Sequence, residues 1–408
     1  MGTAPGRKRL RGECVPTKKN SMATWRLRRA ESEARAARRP VEGPLWDRRS
    51  QTVFSLGMTL SPSNSQPKAR ADATGPRPVL IAGGAGYIGS HTVRHFASLG
   101  APVVVLDNLS TGHREAVQRA APGARLVQCN LLDRPALDAL FAEHQPRAVI
   151  HFAARAYVGE SVTDPALYYR ENVVATFTLL EAMRAAGCGT IVFSSTCATY
   201  GIPQRLPIDE EHPQAPISPY GRTKLHIEHM LADFAHAYGL RYAALRYFNA
   251  AGAARDGALG EHHDPETHLI PLVLQVALGQ RKEIQVFGDD YDTPDGTCIR
   301  DYIHVEDLAR AHQLALDALE AGRPSVIANL GTGEGYSVSQ VIDAARKVTG
   351  KPIAARLVAR RPGDPARLVS GGTRAKELLG WTPQRPALED ILEDAWRFAV
   401  AHPRGYQD

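Results

Sequence analysis

The chain has 408 residues, 43% of them hydrophobic and 23% charged, with a formal net charge of +6. That is enough apolar material for one large or two ordinary domains with a buried core, and no run of about 18 apolar residues is present to span a membrane. No secretion signal of ordered basic, apolar and small-residue segments opens the chain, and Cys14, Cys129, Cys188, Cys197 and Cys298 are scattered without metal-ligand spacing, so reduced cytoplasmic thiols and no metal site are expected.

Residues 1–76 carry sixteen Lys or Arg against six Asp or Glu, a net of +10 that leaves −4 for residues 77–408. Runs such as Arg26-Leu27-Arg28-Arg29 and Arg35-Ala36-Ala37-Arg38-Arg39 alternate with Pro, Ser and Ala, and few large apolar residues are at hand. Residues 1–75 therefore read as a disordered basic extension. An arm for nucleic acid or another anionic surface would use this charge. An organellar transit peptide would not carry Glu31, Glu33, Glu42 and Asp47. The favoured reading is an upstream extension without function, with Met22 or Met58 as the true start, so neither nucleic-acid nor membrane binding is expected.

From Arg77 the pattern changes to short apolar runs alternating with helix-period segments. Expected strands are 78–82, 103–106, 125–128, 148–152, 190–194 and 242–246. Helices are expected at 87–99, 134–143, 165–186 and 220–238. Strands this apolar, separated by helices, imply a parallel sheet covered on both faces, that is, a doubly wound Rossmann α/β fold. Its ligands bind beyond the carboxyl ends of the strands. After about residue 250 the alternation loosens and Gly, Pro and His become denser. The expected division is thus a dinucleotide-binding domain over 76–250 and a smaller C-terminal substrate lobe over 251–408, interleaved with the last strands.

Gly83-Gly84-Ala85-Gly86-Tyr87-Ile88-Gly89 directly follows the first strand and opens the first helix. Gly83 suits a tight turn, Gly86 a close pyrophosphate, and Gly89 tight helix–strand packing, while the helix N-terminus offers N–H groups to phosphate. Asp107 ends the second strand, 21 residues after Gly86, placed to accept from the adenosine ribose. A carboxylate there repels a 2′-phosphate and Asn108 brings no compensating charge, so NAD is favoured over NADP.

Tyr220 and Lys224 are four apart in Ser218-Pro219-Tyr220-Gly221-Arg222-Thr223-Lys224, just past the proline that marks a helix start. One helical turn puts both side chains on one face. An ammonium there is expected to draw the phenol toward neutrality, making Tyr220 a general base. The spacing alone proves little, but Ser194-Ser195-Thr196 end the fifth strand at the cofactor edge, where Thr196 would bridge Tyr220 to a substrate hydroxyl. In that setting the arrangement reads as a redox site.

These stretches resemble the extended short-chain dehydrogenases/reductases, and within them the UDP-glucose 4-epimerases. The resemblance runs from about Val79 to the C-terminus. It rests on residues 83–91 (GGAGYIGSH), 106–112 (LDNLSTG), 151–162 (HFAARAYVGESV), 218–225 (SPYGRTKL), 246–253 (RYFNAAGA), 286–309, 329–338 (NLGTGEGYSV) and 360–369 (RRPGDPARLV). It implies an isomerase that oxidises carbon 4 of a UDP-hexose with bound NAD. The 4-keto sugar then turns over and takes hydride on its opposite face, interconverting UDP-galactose and UDP-glucose. By the same resemblance Tyr87, Ile88, Asp107, Asn108, Leu109, Ser110, Thr111, Gly112, Asn130, Leu131, Phe152, Ala153, Ala154, Asn172 and Phe248 hold the cofactor. Asn249, His268, Leu269, Gln285, Phe287, Arg300, Arg361 and Asp364 join Thr196 and Tyr220 around the UDP-sugar. Arg300 and Arg361 are matched to the diphosphate and Asp364 to the uridine ribose. Asn130 and Ala156 depart from the commoner Asp and Lys of relatives, and His268 stands where some have Asn. Leu368 matches the position that sets the size of the sugar pocket. A homodimer through the helices near 165–186 and 220–238 is implied as well.

Alternatives remain at this point. A sugar-nucleotide 4,6-dehydratase needs an acid and a base after the strand-five threonine, where Cys197 and Ala198 stand. An epimerase acting on a UDP-N-acetylhexosamine or UDP-pentose is the nearer competitor. A non-catalytic NAD sensor would be expected to have lost Tyr220 or Lys224.

Overall fold

Continuous apolar runs, with Val79–Ala82 wholly buried, account for a sheet with both faces covered. The computed structural model describes residues 75–361 and 363–407, together with Gly2; the readings for the rest of the extension lie outside the described residues. The strands are β1 Val79–Ala82, β2 Val103–Asp107, β3 Arg125–Gln128, β4 Ala148–His151, β5 Thr190–Thr196, β6 Arg241–Tyr247, β7 Asn249–Ala251, β8 Ile284–Phe287, β9 Ile299–Arg300, β10 Tyr302–His304, β11 Val326–Leu330, β12 Tyr336–Ser337, β13 Ala355–Val358 and β14 Arg367–Leu368. Seven of them form the parallel sheet β11-β6-β5-β4-β1-β2-β3. The order reverses direction between β1 and β4, the crevice in which a doubly wound sheet binds its ligand.

Helices α1 Tyr87–Ser98, α2 Arg114–Ala120, α3 Arg134–His144, α4 Val158–Thr163, α5 Pro165–Tyr168, α6 Ala175–Ala186 and α7 Pro219–Tyr238 cover the sheet, followed by α8 Leu269–Ala277 and α9 Val305–Glu320. One core joins β1, β2, β6 and β11 to α1 and α9 through Phe96, Leu245, Ile303 and Leu316; a second, on the opposite face, packs Leu80, Leu106 and Phe193 against Leu137, Leu179 and Ile227. A third centres on Val273, Ile342 and Ile391 around α8, where β8 pairs β13 and β9 pairs β12 and β14. None of these helices is long and apolar enough to cross a membrane.

The expected long helix over 165–186 is interrupted: a π-helical segment, Tyr169–Val174, separates α5 from α6. Hydrophobic periodicity does not register one extra residue per turn, and such inserts gather at functional sites. α7 begins as the sequence expects. Ser218 accepts from Gly221 N at 3.1 Å, Pro219 occupies the first turn, and Gly239 ends the helix at φ +72°.

Candidate active site

The carboxyl ends of β1, β2, β4, β5 and β6 open into a cavity of about 500 Å³. Its floor is the glycine loop. Gly83 has φ +79°, and a Cβ on Gly89 would lie 2.1 Å from Gly83 O, so neither position admits a side chain. A Cβ on Gly86 would meet only Gly83 O, at 3.4 Å, because that side of the residue faces the cavity. No side chain caps the start of α1. Its N–H groups and dipole are thus offered to the open space, as a pyrophosphate requires.

Asp107 is buried at the end of β2, its Oδ2 accepting from Ala85 N at 3.0 Å and its Oδ1 from Leu109 N at 2.8 Å. Burial, the largest influence, pushes its pKa up and the two N–H groups oppose this. Leu109 holds φ +59°, a left-handed conformation costly for a side chain of this size; it turns the loop so that Asn108, Ser110, Thr111 and Gly112 reach the wall. Leu109 itself packs on the core instead.

Of the other residues assigned to the cofactor, Tyr87, Ile88, Asn130, Leu131, Phe152, Ala153, Ala154, Thr196, Tyr220, Lys224 and Phe248 line the cavity. Asn172 does not. It is buried in the π-helical segment, its Oδ1 accepting from Arg155 N at 2.8 Å and its Nδ2 donating to Arg155 O at 3.0 Å and Thr223 Oγ1 at 3.1 Å. Its geometry is that of a brace between the loop after β4 and helix α7.

Lys224 is 3% exposed, donates to Ser194 O at 2.9 Å and lies 4.8 Å above the Phe193 ring. Tyr220 is half-buried beside the edge of Tyr168, with the ammonium 6.0 Å from its ring centroid. In the chain without cofactor the nearby ammonium does not draw the phenol toward neutrality. Burial dominates both groups, raising the Tyr220 pKa and lowering that of Lys224 to about 7. What opposes burial at Tyr220 is a hydrogen bond from Thr196; at Lys224 it is Glu228, one turn along. Glu228 is itself buried in a bidentate pair with Arg246 (2.9 and 2.6 Å) and accepts from Ser195 Oγ at 2.5 Å. Arg246 reaches on to Tyr200 Oη at 2.8 Å.

The residues assigned to the sugar nucleotide divide. Asn249, His268, Leu269 and Leu368 line the cavity, Leu368 also packing with Cys197, Tyr200, Ile208 and Phe248. Arg300, Arg361, Asp364, Gln285 and Phe287 do not line it. Arg300 is paired with Asp364, and Arg361 stacks 3.9 Å over Phe287. The β9–β14 register sets Arg300 against Leu368, so this cluster adjoins the cavity wall. Tyr157, Tyr247, Glu261 and His263 also line the cavity and were not singled out in the sequence. Tyr247 could have been found from its place at the end of a parallel strand. Glu261 and His263 sit in an irregular loop with no periodic signal, and Tyr157 immediately precedes α4.

A parallel sheet of this order, with a glycine loop and a Tyr/Lys pair over the same cavity, defines a dinucleotide-dependent enzyme of the short-chain dehydrogenase/reductase type. Comparison with known proteins is more specific. The family model described as NAD dependent epimerase/dehydratase family matches residues 79–331. A UDP-glucose 4-epimerase of Halalkalibacterium halodurans is 52% identical over 80% of this chain and 97% of its own. The crystal structure of UDP-glucose 4-epimerase from Brucella ovis in complex with NAD superposes with a TM-score of 0.77 at 52% identity, over 79% of this chain and 98% of that one. A Bifidobacterium longum UDP-glucose 4-epimerase in complex with NAD+ and UDP gives 0.78 at 39% identity, over 81% and 100%. The chain belongs to the NAD-dependent epimerase/dehydratase family.

Proposed function

We propose that this isomerase interconverts UDP-glucose and UDP-galactose by transient oxidation at sugar carbon 4, with Tyr220 as the base. The observation that carries the residue roles is the convergence of Tyr220, Lys224, Thr196, Asp107 and the glycine loop on one cavity. NAD is the cofactor and, when bound, supplies a positively charged ring that accepts and returns hydride. The loop from Gly83 to Gly89, Asp107 and the 108–112 turn would hold it. Tyr220, as a phenolate to which Thr196 donates a hydrogen bond, takes the proton of the carbon-4 hydroxyl and becomes a neutral phenol. Lys224, fixed on Ser194 O, adds positive potential 6.0 Å from the centroid of the Tyr220 ring. The same phenol returns its proton to the carbonyl oxygen when the sugar is reduced on its other face.

Residues 76–250 supply the cofactor side, and 251–408 mainly the UDP-sugar side. For the diphosphate and uridine, Arg300, Arg361 and Asp364 must exchange their present partners for the ligand. A dimer through the helices at 165–186 and 220–238 is supported by exposed Val174, Phe177 and Tyr238, and light scattering would test it. Cytoplasmic action in galactose metabolism fits the free thiols Cys129, Cys188, Cys197 and Cys298.

A coupled assay comparing UDP-galactose, UDP-N-acetylgalactosamine and UDP-arabinose tests the reading. Turnover of UDP-galactose with NAD supplied is expected, and its absence would overturn it. Leu368, smaller than a tyrosine, favours a second reading in which the N-acetylated sugar is accepted too; Leu368→Tyr should then reduce that substrate selectively.

A further inference from the structure

The loop ahead of α8 places four potential metal ligands, Glu261, His263, Glu266 and His268, with their ligand atoms all within 4.8 Å of one another. Both carboxylate side chains are nearly inaccessible, at 7% and 6% exposure. His268 Nδ1 lies 2.9 Å from Glu261 Oε1 and also 2.9 Å from Glu266 Oε1. His263 Nδ1 lies 3.4 Å from Glu261 Oε1 and 3.4 Å from Glu266 Oε2. Each Nδ1 carries at most one hydrogen, so two hydrogens face four oxygen contacts, and hydrogen bonding alone satisfies half of them. Two imidazole Nδ1 atoms and two carboxylates thus gather within 4.8 Å of one another, and a cation among them would take both nitrogens as lone-pair donors.

Around a cation with ligands at about 2.1 Å, neighbouring donors of a tetrahedron stand about 3.4 Å apart. The four nitrogen–oxygen separations, 2.9 to 3.4 Å, lie close to that spacing. Two neutral imidazoles and two carboxylates neutralise a dication, and an N₂O₂ set suits tetrahedral zinc better than magnesium or calcium, which take oxygen-rich shells of six or more. The backbone N–H groups of Thr267 and His268 donate to Glu266 Oε1 at 2.7 and 2.8 Å, orienting that carboxylate as outer partners orient a ligand.

We infer that Glu261, His263, Glu266 and His268 bind one divalent transition cation of the zinc class. Four protein ligands close the shell, so the ion is structural and plays no part in polarising the sugar. It fastens the segment that carries His268 and Leu269 to the cavity wall, where Glu261 and His263 also stand. Metal content is independent of turnover, so this inference and the proposed reaction fail separately.

The test is elemental analysis of the untagged full-length chain after zinc loading and exhaustive dialysis, with cobalt(II) substituted in parallel. About one zinc per chain is expected, with a Tm several degrees above the chelator-treated protein and, for cobalt, the intense visible bands of tetrahedral coordination. His263→Ala should lose the metal and the cobalt bands while keeping its far-ultraviolet circular dichroism. Should that variant not fold, chelator titration of the cobalt-loaded natural chain reads the same site. Less than roughly 0.1 metal per loaded chain, weak octahedral cobalt bands, or metal retained by His263→Ala would overturn the inference. The four residues would then be a cluster of imidazolium–carboxylate pairs.

Discussion

Around Tyr220 and Lys224 the side chains are held from below by the sheet; around Arg300 and Arg361 they hold one another. Lys224, Glu228, Arg246 and Ser195 are each 3% exposed or less, and every one is tied to a strand end or to α7. Arg300 and Asp364 form a pair on short strands and loops, and Arg361 stays exposed over Phe287. The difference matches what the two regions must do. A proton-transfer group gains from a fixed position, since small displacements cost rate steeply. A nucleotide grip gains from side chains whose present partners can be exchanged for the ligand, as a pair 13% and 30% exposed on short strands and loops allows.

Four measurements would break or sharpen this contrast. Tyr220→Phe should lower kcat by about 10³-fold or more, since it removes the proton carrier, while leaving the unfolding midpoint within about 1 kcal/mol; retention of a tenth of the activity would take the base role from Tyr220. Next, Glu228→Gln leaves Arg246 buried without its counter-charge and should cost about 3–5 kcal/mol in denaturant unfolding. A loss below about 1 kcal/mol would mean that the fixed region is less rigidly determined than its burial suggests. On the other side, Arg300→Ala should raise KM for UDP-galactose roughly 10- to 100-fold with kcat little changed. A kcat effect of equal size would place Arg300 in the chemistry and erase the contrast.

The smallest expected effect is on pH. Burial lowers the pKa of His91, His304 and His312 to about 4 and of His151 to about 3. The folded chain therefore keeps them neutral, whereas the unfolded chain takes up protons below about pH 6.5. Stability is lost as pH falls from about 6.5 toward 4, and Tm at pH 4.5 should lie several degrees below that at pH 7. In the metal-free chain the raised His263 (about 9) and His268 do not offset this. They are protonated in both states in that window, and their effect is lost only as pH climbs above 6.5.

Much of the fixed region was legible in the sequence because its signals are local. The run 79–89 carries strand, turn and helix start within eleven residues, and Ser218-Pro219 announces α7. Non-local features left no such trace. Nothing local joins Arg246 to Glu228, 18 residues apart, until β6 and α7 meet. β11 sits beside β6 from 80 residues downstream and was not distinguished. The environment of Tyr220 was misjudged for a related reason: a four-residue spacing reports proximity to an ammonium, whereas the pKa is governed by burial that only the packed chain reveals. The residues assigned to the UDP group came from motif resemblance. The structure sets most of them beside the cavity, Gln285 and Phe287 on β8 and Arg300 on β9.

The brace at Asn172 has a consequence for how this chain can change in length. A π-helical turn holds about one residue more than an α-helical one, so deleting one residue from Tyr169–Val174 would restore regular pitch and remove the bulge in which Asn172 sits. Asn172 could then not face Arg155 and Thr223 together, and the loop after β4 would part from the helix that carries Tyr220. Sequence drift by substitution is open to the outer face of this segment, while single-residue deletions within it are closed.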